Sequence, residues 1–179
     1  MIEVEKKFQP TEEQWDVLLK DAKSITNKVL HDCLYDYFDY RMFKKGMRLR
    51  NRNGNFELKT RRNATIADEI EDKKEIEKYF NTDNLDIFIQ DNLILIADYT
   101  QDVVLLEIDE FSVDVSKLSY GYQVGEVEIL IGKDGNFKEA EEKIDNFGKK
   151  YNLEFKDLPG KPKEYFRIVK PEVYNKLYG

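Results

Sequence analysis

The segment that decides the fold is Ile2-Glu3-Val4-Glu5-Lys6-Lys7-Phe8. In a β-strand, side chains two positions apart project from the same face and lie about 6.6 Å from each other. A strand over this segment therefore places three charged side chains on one face, namely Glu3, Glu5 and Lys7. The opposite face is mostly apolar, so the segment predicts an amphipathic strand at 2–8.

Five further predicted strands repeat this arrangement of paired charges on one face. The pairs are Arg50 with Arg52, Glu57 with Lys59, Glu69 with Glu71, Glu107 with Asp109, and Glu126 with Glu128. A sheet with one face in water and the other on a core accounts for each strand taken singly. It accounts less well for the whole set, because several of the same-face neighbours carry like charges.

Amphipathic helices also need an apolar surface to cover. Thr11 and Gln14 form a predicted capping box before one such helix, and Asn136 is a predicted cap for another that ends near Lys150. If these helices cover the outer faces of the strands, the charged faces turn inward and line a closed barrel with a polar lumen. Acidic and basic clusters in one lumen suit a metal-bound polyphosphate, because carboxylates bind hard cations while Arg and Lys bind phosphate oxygens.

The remaining pattern predicts an α+β chain with mostly antiparallel strands. Asn53-Gly54 is a hairpin-turn signal between two strands, since both residues accept a positive φ. Further strands are predicted at 28–40, 47–52, 56–61, 68–72, 93–98, 103–110 and 124–131, and further helices at 74–80, 83–91, 163–169 and 172–177. No linker-like or repeated segment divides the sequence, so we predict a single domain over 1–179.

Composition excludes several classes of protein. The 179 residues include 29 Lys and Arg against 36 Asp and Glu, which gives a net charge of −7. A negative surface repels polyanions, so we expect no binding to nucleic-acid duplexes or to anionic membranes. No apolar run approaches the ~20 residues that a membrane span needs. A single cysteine fits a reducing compartment, and we expect a cytoplasmic protein without an obligate protein partner.

His31 and Cys33 are the one histidine and the one cysteine of the chain. They lie two positions apart on a predicted strand, which is compatible with two ligands of one metal ion. Zinc usually takes more nitrogen and sulfur ligands than this chain has, so the sequence favours two ordinary strand residues.

The order of these motifs resembles the CYTH superfamily, the triphosphate tunnel metalloenzymes. Ile2 to Phe8 carries the ExExK motif, and the later motifs follow in family order: Leu49-Arg50-Asn51-Arg52, Glu57-Leu58-Lys59, Gly121-Tyr122-Gln123-Val124-Gly125-Glu126-Val127-Glu128 and Gly160-Lys161. The resemblance spans nearly the whole chain and looks closest to the thiamine-triphosphatase branch. It implies an eight-stranded antiparallel barrel, the triphosphate tunnel, with helices on the outside.

The resemblance also implies roles for individual residues. It implies Mg²⁺ or Mn²⁺ as cofactor, with a predicted ligand set of Glu3, Glu5, Asp109, Glu126 and Glu128. The implied triphosphate-binding residues are Lys7, Arg50, Arg52, Lys59 and Lys161, of which Lys7, Arg52 and Lys59 are the predicted catalytic residues. Three further carboxylates are predicted on the lumen: Glu57, Glu71 and Glu107.

Two departures from the family pattern stand out. Residues 79–116 contain no Lys or Arg, although relatives usually carry a basic residue on the strand before Glu107. The tryptophan that the thiamine-triphosphatase branch places before the Leu-Arg segment is replaced by Met47-Arg48. The first departure removes one expected phosphate ligand, and the second removes support for recognition of a thiamine group.

The sequence therefore predicts a metal-dependent triphosphatase that hydrolyses the terminal phosphate of a small triphosphate. Thiamine triphosphate, inorganic tripolyphosphate and a nucleoside triphosphate remain open as substrates. Three alternatives also remain: a nucleotidyl cyclase similar to class IV adenylyl cyclases, a non-catalytic polyphosphate- or nucleotide-binding module, and a structural domain with a solvated charged sheet.

Overall fold

The computed structural model describes residues 2–132 and 134–179, and within them eight antiparallel strands close into a barrel. The strand order around the barrel is β1-β5-β4-β3-β2-β6-β7-β8. The strands are β1 Ile2–Phe8, β2 Ser24–Asp36, β3 Met47–Arg52, β4 Asn55–Arg61, β5 Ile66–Ile70, β6 Ile94–Ile108, β7 Phe111–Leu118 and β8 Gln123–Ile131. The predicted α+β barrel is thus confirmed.

Seven helices accompany the strands in the described part of the chain. They are α1 Glu12–Asp21, α2 Arg41–Lys44, α3 Lys73–Phe80, α4 Leu85–Asn92, α5 Phe137–Lys150, α6 Lys161–Val169 and α7 Pro171–Tyr178. None of these helices is long and apolar enough to cross a bilayer. Both predicted caps are present, since Thr11 and Gln14 form the capping box of α1 and the Asn136 side chain accepts from the Glu139 N–H.

Contacts within the barrel group the residues into two compact units. The first unit contains 1–29 and 101–159, and the second contains 30–100 and 160–179. The prediction of one domain over 1–179 stays a prediction.

In the first unit, helix α5 covers the apolar face of β1 and β8. The Lys6 ammonium, on that face, lies 2.6 Å from an Asp145 carboxylate oxygen of α5. Phe147 of α5 stacks on Phe111 of β7 with 4.7 Å between the ring centroids. Because helices pack outside a closed barrel, the residues that alternate with these point to its interior.

In the second unit, helices α3 and α4 cover the apolar face of β3 and β4. Their buried side chains form one core with those of the strands: Met42, Leu49, Phe56, Leu58, Ile76, Leu85, Ile89 and Leu93. The register pairs Leu49 with Leu58 and Arg50 with Glu57. The charged side chains of both strands therefore lie on the face turned away from the helices, as the sequence predicted.

Three strand predictions need correction. The predicted strands at 93–98 and 103–110 are a single strand, β6, which runs without interruption from Ile94 to Ile108. The sequence analysis missed strand β7. Strand β2 ends at Asp36, whose carboxylate accepts the N–H groups of Tyr37, Met42 and Phe43 and so turns the chain.

Candidate functional site

The interior face of the first unit is a wall of carboxylates around one lysine. Glu3, Glu5 and Lys7 of β1 are buried, with 6%, 7% and 7% of their surface exposed. The Lys7 ammonium pairs with Glu5 on its own strand and lies 3.2 Å from an oxygen of Glu126. Burial of ionised groups requires such pairing or a metal ion, because the charges lose the hydration of bulk water.

The strand register extends this wall across three more strands. Residues that face each other on neighbouring antiparallel strands project to the same side. Glu5 lies opposite Glu128, Glu128 opposite Ser112, and Ser112 opposite Glu107. The predicted ligands Glu3, Glu5, Glu126 and Glu128 thus share one face, and the exposed Glu107 lies on it at the far end of the row.

Asp114 is an interior carboxylate that the sequence analysis missed. It lies opposite Glu126, which in turn lies opposite Lys7. The signal was present in the sequence, because Ser112, Asp114 and Ser116 alternate strictly with apolar residues over 111–116.

Asp109 does not share the interior face with Glu107. Strand β6 ends at Ile108, and Asp109 stands in the following turn with φ of 55°. Its carboxylate is exposed and lies 3.4 Å from the ammonium of Lys23 and 3.9 Å from that of Lys150. The predicted strand over 103–110 is wrong at Asp109, because β6 ends one residue earlier. Asp109 therefore does not belong to the carboxylate wall.

The interior face of the second unit is rich in cations. Alternation along β3 and β4 places five of them on this face: Arg48, Arg50, Arg52, Lys59 and Arg61. Lys161 begins helix α6 in the same unit and contributes to the electrostatic field at Asp32. Arg48 and Arg61 are additions to the predicted set, and alternation alone was enough to find them.

Arg50 and Arg52 are held in place by carboxylates. Arg50 pairs with Glu57 and lies 3.6 Å from Glu69. Arg52 donates two hydrogen bonds to the fully buried Asp32. Burial alone would lower the pKa of Arg50, but Glu57, Asp32 and Glu69 outweigh it and raise that pKa above its ordinary value. Arg50 therefore keeps its charge at every physiological pH.

Arg48 sits in a different environment from the other arginines. Its guanidinium lies 3.2 Å from the centroid of the Phe43 ring and donates to the carbonyl oxygens of Phe43 and Met47. Burial lowers the pKa of Arg48 to about 10, and the neighbouring charge of Arg61 adds to that effect. At neutral pH it remains a cation.

Tyr99 of β6 lies close enough to this cationic cluster for the charges of Arg50, Lys161 and Arg52 to act on its pKa. It is buried and stacks on Tyr165 with 5.4 Å between the ring centroids. Burial raises the pKa of Tyr99 well above its ordinary value, so the phenol stays neutral. A neutral phenol thus stands on the strand where the family resemblance predicted a basic residue.

Two of the predicted lumen carboxylates differ in position. Glu57 lies on the interior face, paired with Arg50. Glu71 lies beyond the end of β5 at Ile70 and is exposed. The strand predicted at 68–72 is shifted by two residues, and Glu69 takes the interior position through its register with Lys59.

Solved structures with the same fold are found at low sequence identity. The PH1819 protein of Pyrococcus horikoshii OT3 matches with a TM-score of 0.63 and 16% identity over 96% of this chain and 99% of that chain. A candidate adenylate cyclase of Vibrio parahaemolyticus matches with a TM-score of 0.65 and 15% identity over 93% of this chain and 98% of that chain.

The candidate adenylyl cyclase HpAC1 of Hippeastrum, described as having a dominant triphosphatase activity, matches with a TM-score of 0.60 and 12% identity over 93% of this chain and 94% of that chain. No protein-family model matches the sequence, and no curated protein sequence matches it. These similarities show that the chain shares the overall fold of these solved structures.

Proposed function

We propose that this protein is a divalent-metal-dependent triphosphatase that releases the terminal phosphate of a small triphosphate. The substrate class is an inorganic tripolyphosphate, a nucleoside triphosphate or thiamine triphosphate. The cationic face of the second unit binds the triphosphate chain, and the carboxylate wall of the first unit binds Mg²⁺ or Mn²⁺.

The observation that carries this proposal is the separation of charge between the interior faces of the two units. Six cations stand with Asp32, Glu57 and Glu69 in the second unit, whereas the described first-unit wall has one lysine among its carboxylates. Guanidinium and ammonium groups are the side chains that bind phosphate oxygens.

The donors of the first unit fit a hard divalent cation. Glu3, Glu5, Glu126 and Glu128 offer oxygen atoms from one wall, and oxygen ligands are those that Mg²⁺ and Mn²⁺ prefer. Glu5 and Glu126 already converge on a cation, the Lys7 ammonium. When bound, a divalent ion supplies neutralisation of the phosphate oxygens and polarisation of a water molecule.

The cationic residues contribute to catalysis by positioning the triphosphate and by stabilising its negative charge. Arg50 and Arg52, each fixed by a carboxylate, have further N–H groups with which to donate to phosphate oxygens. Lys59 and Lys161 add two ammonium groups that bind the same substrate. Together they hold the triphosphate chain and stabilise the charge that grows on the leaving diphosphate end.

Two of the solved structures with a similar fold bear on the choice between a triphosphatase and a nucleotidyl cyclase. The Hippeastrum protein is described with a dominant triphosphatase activity, and the Vibrio protein as a candidate cyclase. A cyclase of this fold releases pyrophosphate and a cyclic nucleotide instead of orthophosphate. Product analysis therefore separates the two activities.

The direct test is a screen for orthophosphate release from tripolyphosphate, thiamine triphosphate and ATP with Mg²⁺ and with Mn²⁺. We expect release from at least one substrate, and its loss in Glu5→Gln. Pyrophosphate with a cyclic nucleotide would replace the proposal by the cyclase. A triphosphate that raises the melting temperature without any product would replace it by a binding module.

A further inference from the structure

His31, Cys33 and Asp98 bring three metal-binding atoms together on the second unit. The His31 Nε2 atom lies 2.6 Å from Asp98 Oδ1 and 3.6 Å from the Cys33 sulfur. All three ligand atoms lie within 4.8 Å of one another. The sequence offered two of these ligands, and the fold supplies the third from β6, which neighbours β2 in the barrel.

The three residues stand on regular strands that hold them in place. His31 and Cys33 lie two apart on β2 and so share one face, opposite to that of the buried Asp32. The backbone at His31 is fixed on both sides, because its N–H donates to Asn53 Oδ1 at 2.8 Å and its carbonyl accepts the Asn53 N–H at 3.1 Å. This cluster therefore lies on the outer face, apart from the interior cations.

We propose that His31, Cys33 and Asp98 form a zinc site with three protein ligands and one water. Tetrahedral zinc with ordinary bond lengths separates its sulfur and nitrogen ligands by about 3.6 Å. The Cys33–His31 distance of 3.6 Å matches this edge without movement. The Asp98–His31 edge needs to open by about 0.7 Å, which a rotation of the aspartate side chain supplies.

Solvent access and ligand chemistry determine the rest of the site. The side chains of His31 and Asp98 are about half exposed, at 51% and 52%, so a water can take the fourth position. A thiolate and an imidazole select zinc over Mg²⁺ and Ca²⁺, which prefer oxygen ligands. The bound ion joins β2 to β6, and the site does not depend on the proposed triphosphatase activity.

Cobalt spectroscopy gives the sharpest test, because the chain has one cysteine and one histidine. Untagged protein is titrated with Co²⁺ in the presence of millimolar Mg²⁺, which occupies oxygen-only sites. We expect a thiolate-to-cobalt charge-transfer band and tetrahedral ligand-field bands that saturate at one ion per chain. Zn²⁺ should then abolish both sets of bands. Absence of the charge-transfer band would overturn the site.

Thermal unfolding supplies an independent readout. At a hundredfold excess over its dissociation constant, Zn²⁺ should raise the melting temperature of the wild type by about 5–10 °C. The shift should vanish in Cys33→Ser and His31→Gln and fall strongly in Asp98→Asn. Asp102→Asn is the matched control, since it is an exposed acid on the same face of β6, and it should keep the full shift. Equal shifts in all variants would show that Zn²⁺ binds elsewhere on the protein and would overturn the site.

Discussion

Arg52 donates to both carboxylate oxygens of Asp32, from Nε at 2.6 Å and from Nη2 at 2.8 Å, and Asp32 is fully buried. Arg62 and Asp68 repeat this bidentate geometry on the surface, with both distances at 2.6 Å. The chain therefore contains two bidentate Arg–Asp pairs, one with a buried aspartate and one on the surface. Comparing the two pairs separates the effect of burial from that of hydrogen-bond geometry.

Replacing Asp32 should destabilise the fold far more than replacing Asp68. Asp32→Asn leaves Arg52 without its anionic partner beside Arg50, and breaking a buried pair costs about 3–5 kcal/mol in the free energy of unfolding. Asp68→Asn breaks an exposed pair and should cost at most about 1 kcal/mol. Urea denaturation of both variants measures the difference, and equal losses would contradict it.

The contribution of Asp32 should disappear in acid. Burial raises the pKa of Asp32, but the hydrogen bonds and charge of Arg52, with Arg50 and Lys161, outweigh it and hold the pKa below the ordinary 3.8. A carboxyl group with a lowered folded-state pKa stabilises the fold above its unfolded pKa and loses that effect as the pH falls through the folded pKa. The difference in unfolding free energy between the wild type and Asp32→Asn should be constant above pH 5 and shrink below pH ~3.8. A difference that grows on acidification would contradict the sign.

Removing an interior cation should slow phosphate release. Lys59→Ala should leave the fold intact, whereas Arg52→Ala also breaks the buried pair with Asp32 and is assayed at a temperature where the variant is folded. Arg52→Ala and Lys59→Ala each delete one proposed donor to the triphosphate, and a preorganised donor contributes about 2.7–4 kcal/mol to transition-state stabilisation. We therefore expect a loss of about 100- to 1000-fold in the rate, and of at least ~10-fold. Arg62→Ala is the matched control, because Arg62 is exposed and pairs with Asp68. Full activity in both interior variants would remove them from the site.

The sequence predicted correctly which candidate residues share a strand face where alternation was continuous, and it failed where the chain turns. Arg50, Arg52, Glu57 and Lys59 were placed correctly on one face, because a two-residue period around the Asn53-Gly54 turn fixes the register of β3 and β4. The prediction for Asp109 was wrong because the two-residue alternation continues in the sequence past Ile108, where the strand ends and a turn begins.

Contacts between residues that are distant in sequence were the second feature that the sequence could not predict. Asp32 is paired with Arg52 across 20 positions, and Asp98 meets His31 across 67 positions. Local pattern carries no information on such contacts, since they depend on which strands become neighbours in the barrel. Strand β7 is a different case, because local alternation of polar and apolar residues was enough to predict it. The sequence analysis missed this strand and therefore also missed Asp114.

Lys7 should be required for stability, whereas its neighbour Lys6 should not. Lys7→Gln leaves the carboxylates of Glu5 and Glu126 on the buried wall without the ammonium between them, which should cost about 3–5 kcal/mol. Lys6 pairs with Asp145, whose side chain is 47% exposed, so Lys6→Gln should cost about 1 kcal/mol or less.

Magnesium gives this pair of variants a second readout. A divalent cation that binds the carboxylate wall replaces the charge that Lys7→Gln removes, so Mg²⁺ should raise the melting temperature of Lys7→Gln more than that of Lys6→Gln. Differential scanning fluorimetry with and without Mg²⁺ measures both shifts. Equal shifts in the two variants would show that Lys7 does not lie among the proposed metal ligands.

Gly125 should be intolerant of any side chain, because Phe8 of the neighbouring strand lies against it. A Cβ atom at Gly125 would stand 2.5 Å from Phe8 Cζ, and Phe8 is fully buried. Gly125→Ala should therefore cost about 1–3 kcal/mol through overpacking. Gly132→Ala is the control, since a Cβ there meets nothing within 4 Å, and it should stay within about 0.5 kcal/mol of the wild type.

Combining Gly125→Ala with Phe8→Leu shortens the opposing side chain, so the double variant should lose less stability than the sum of the two single losses. Strict additivity in urea denaturation would mean that the two residues do not meet as described.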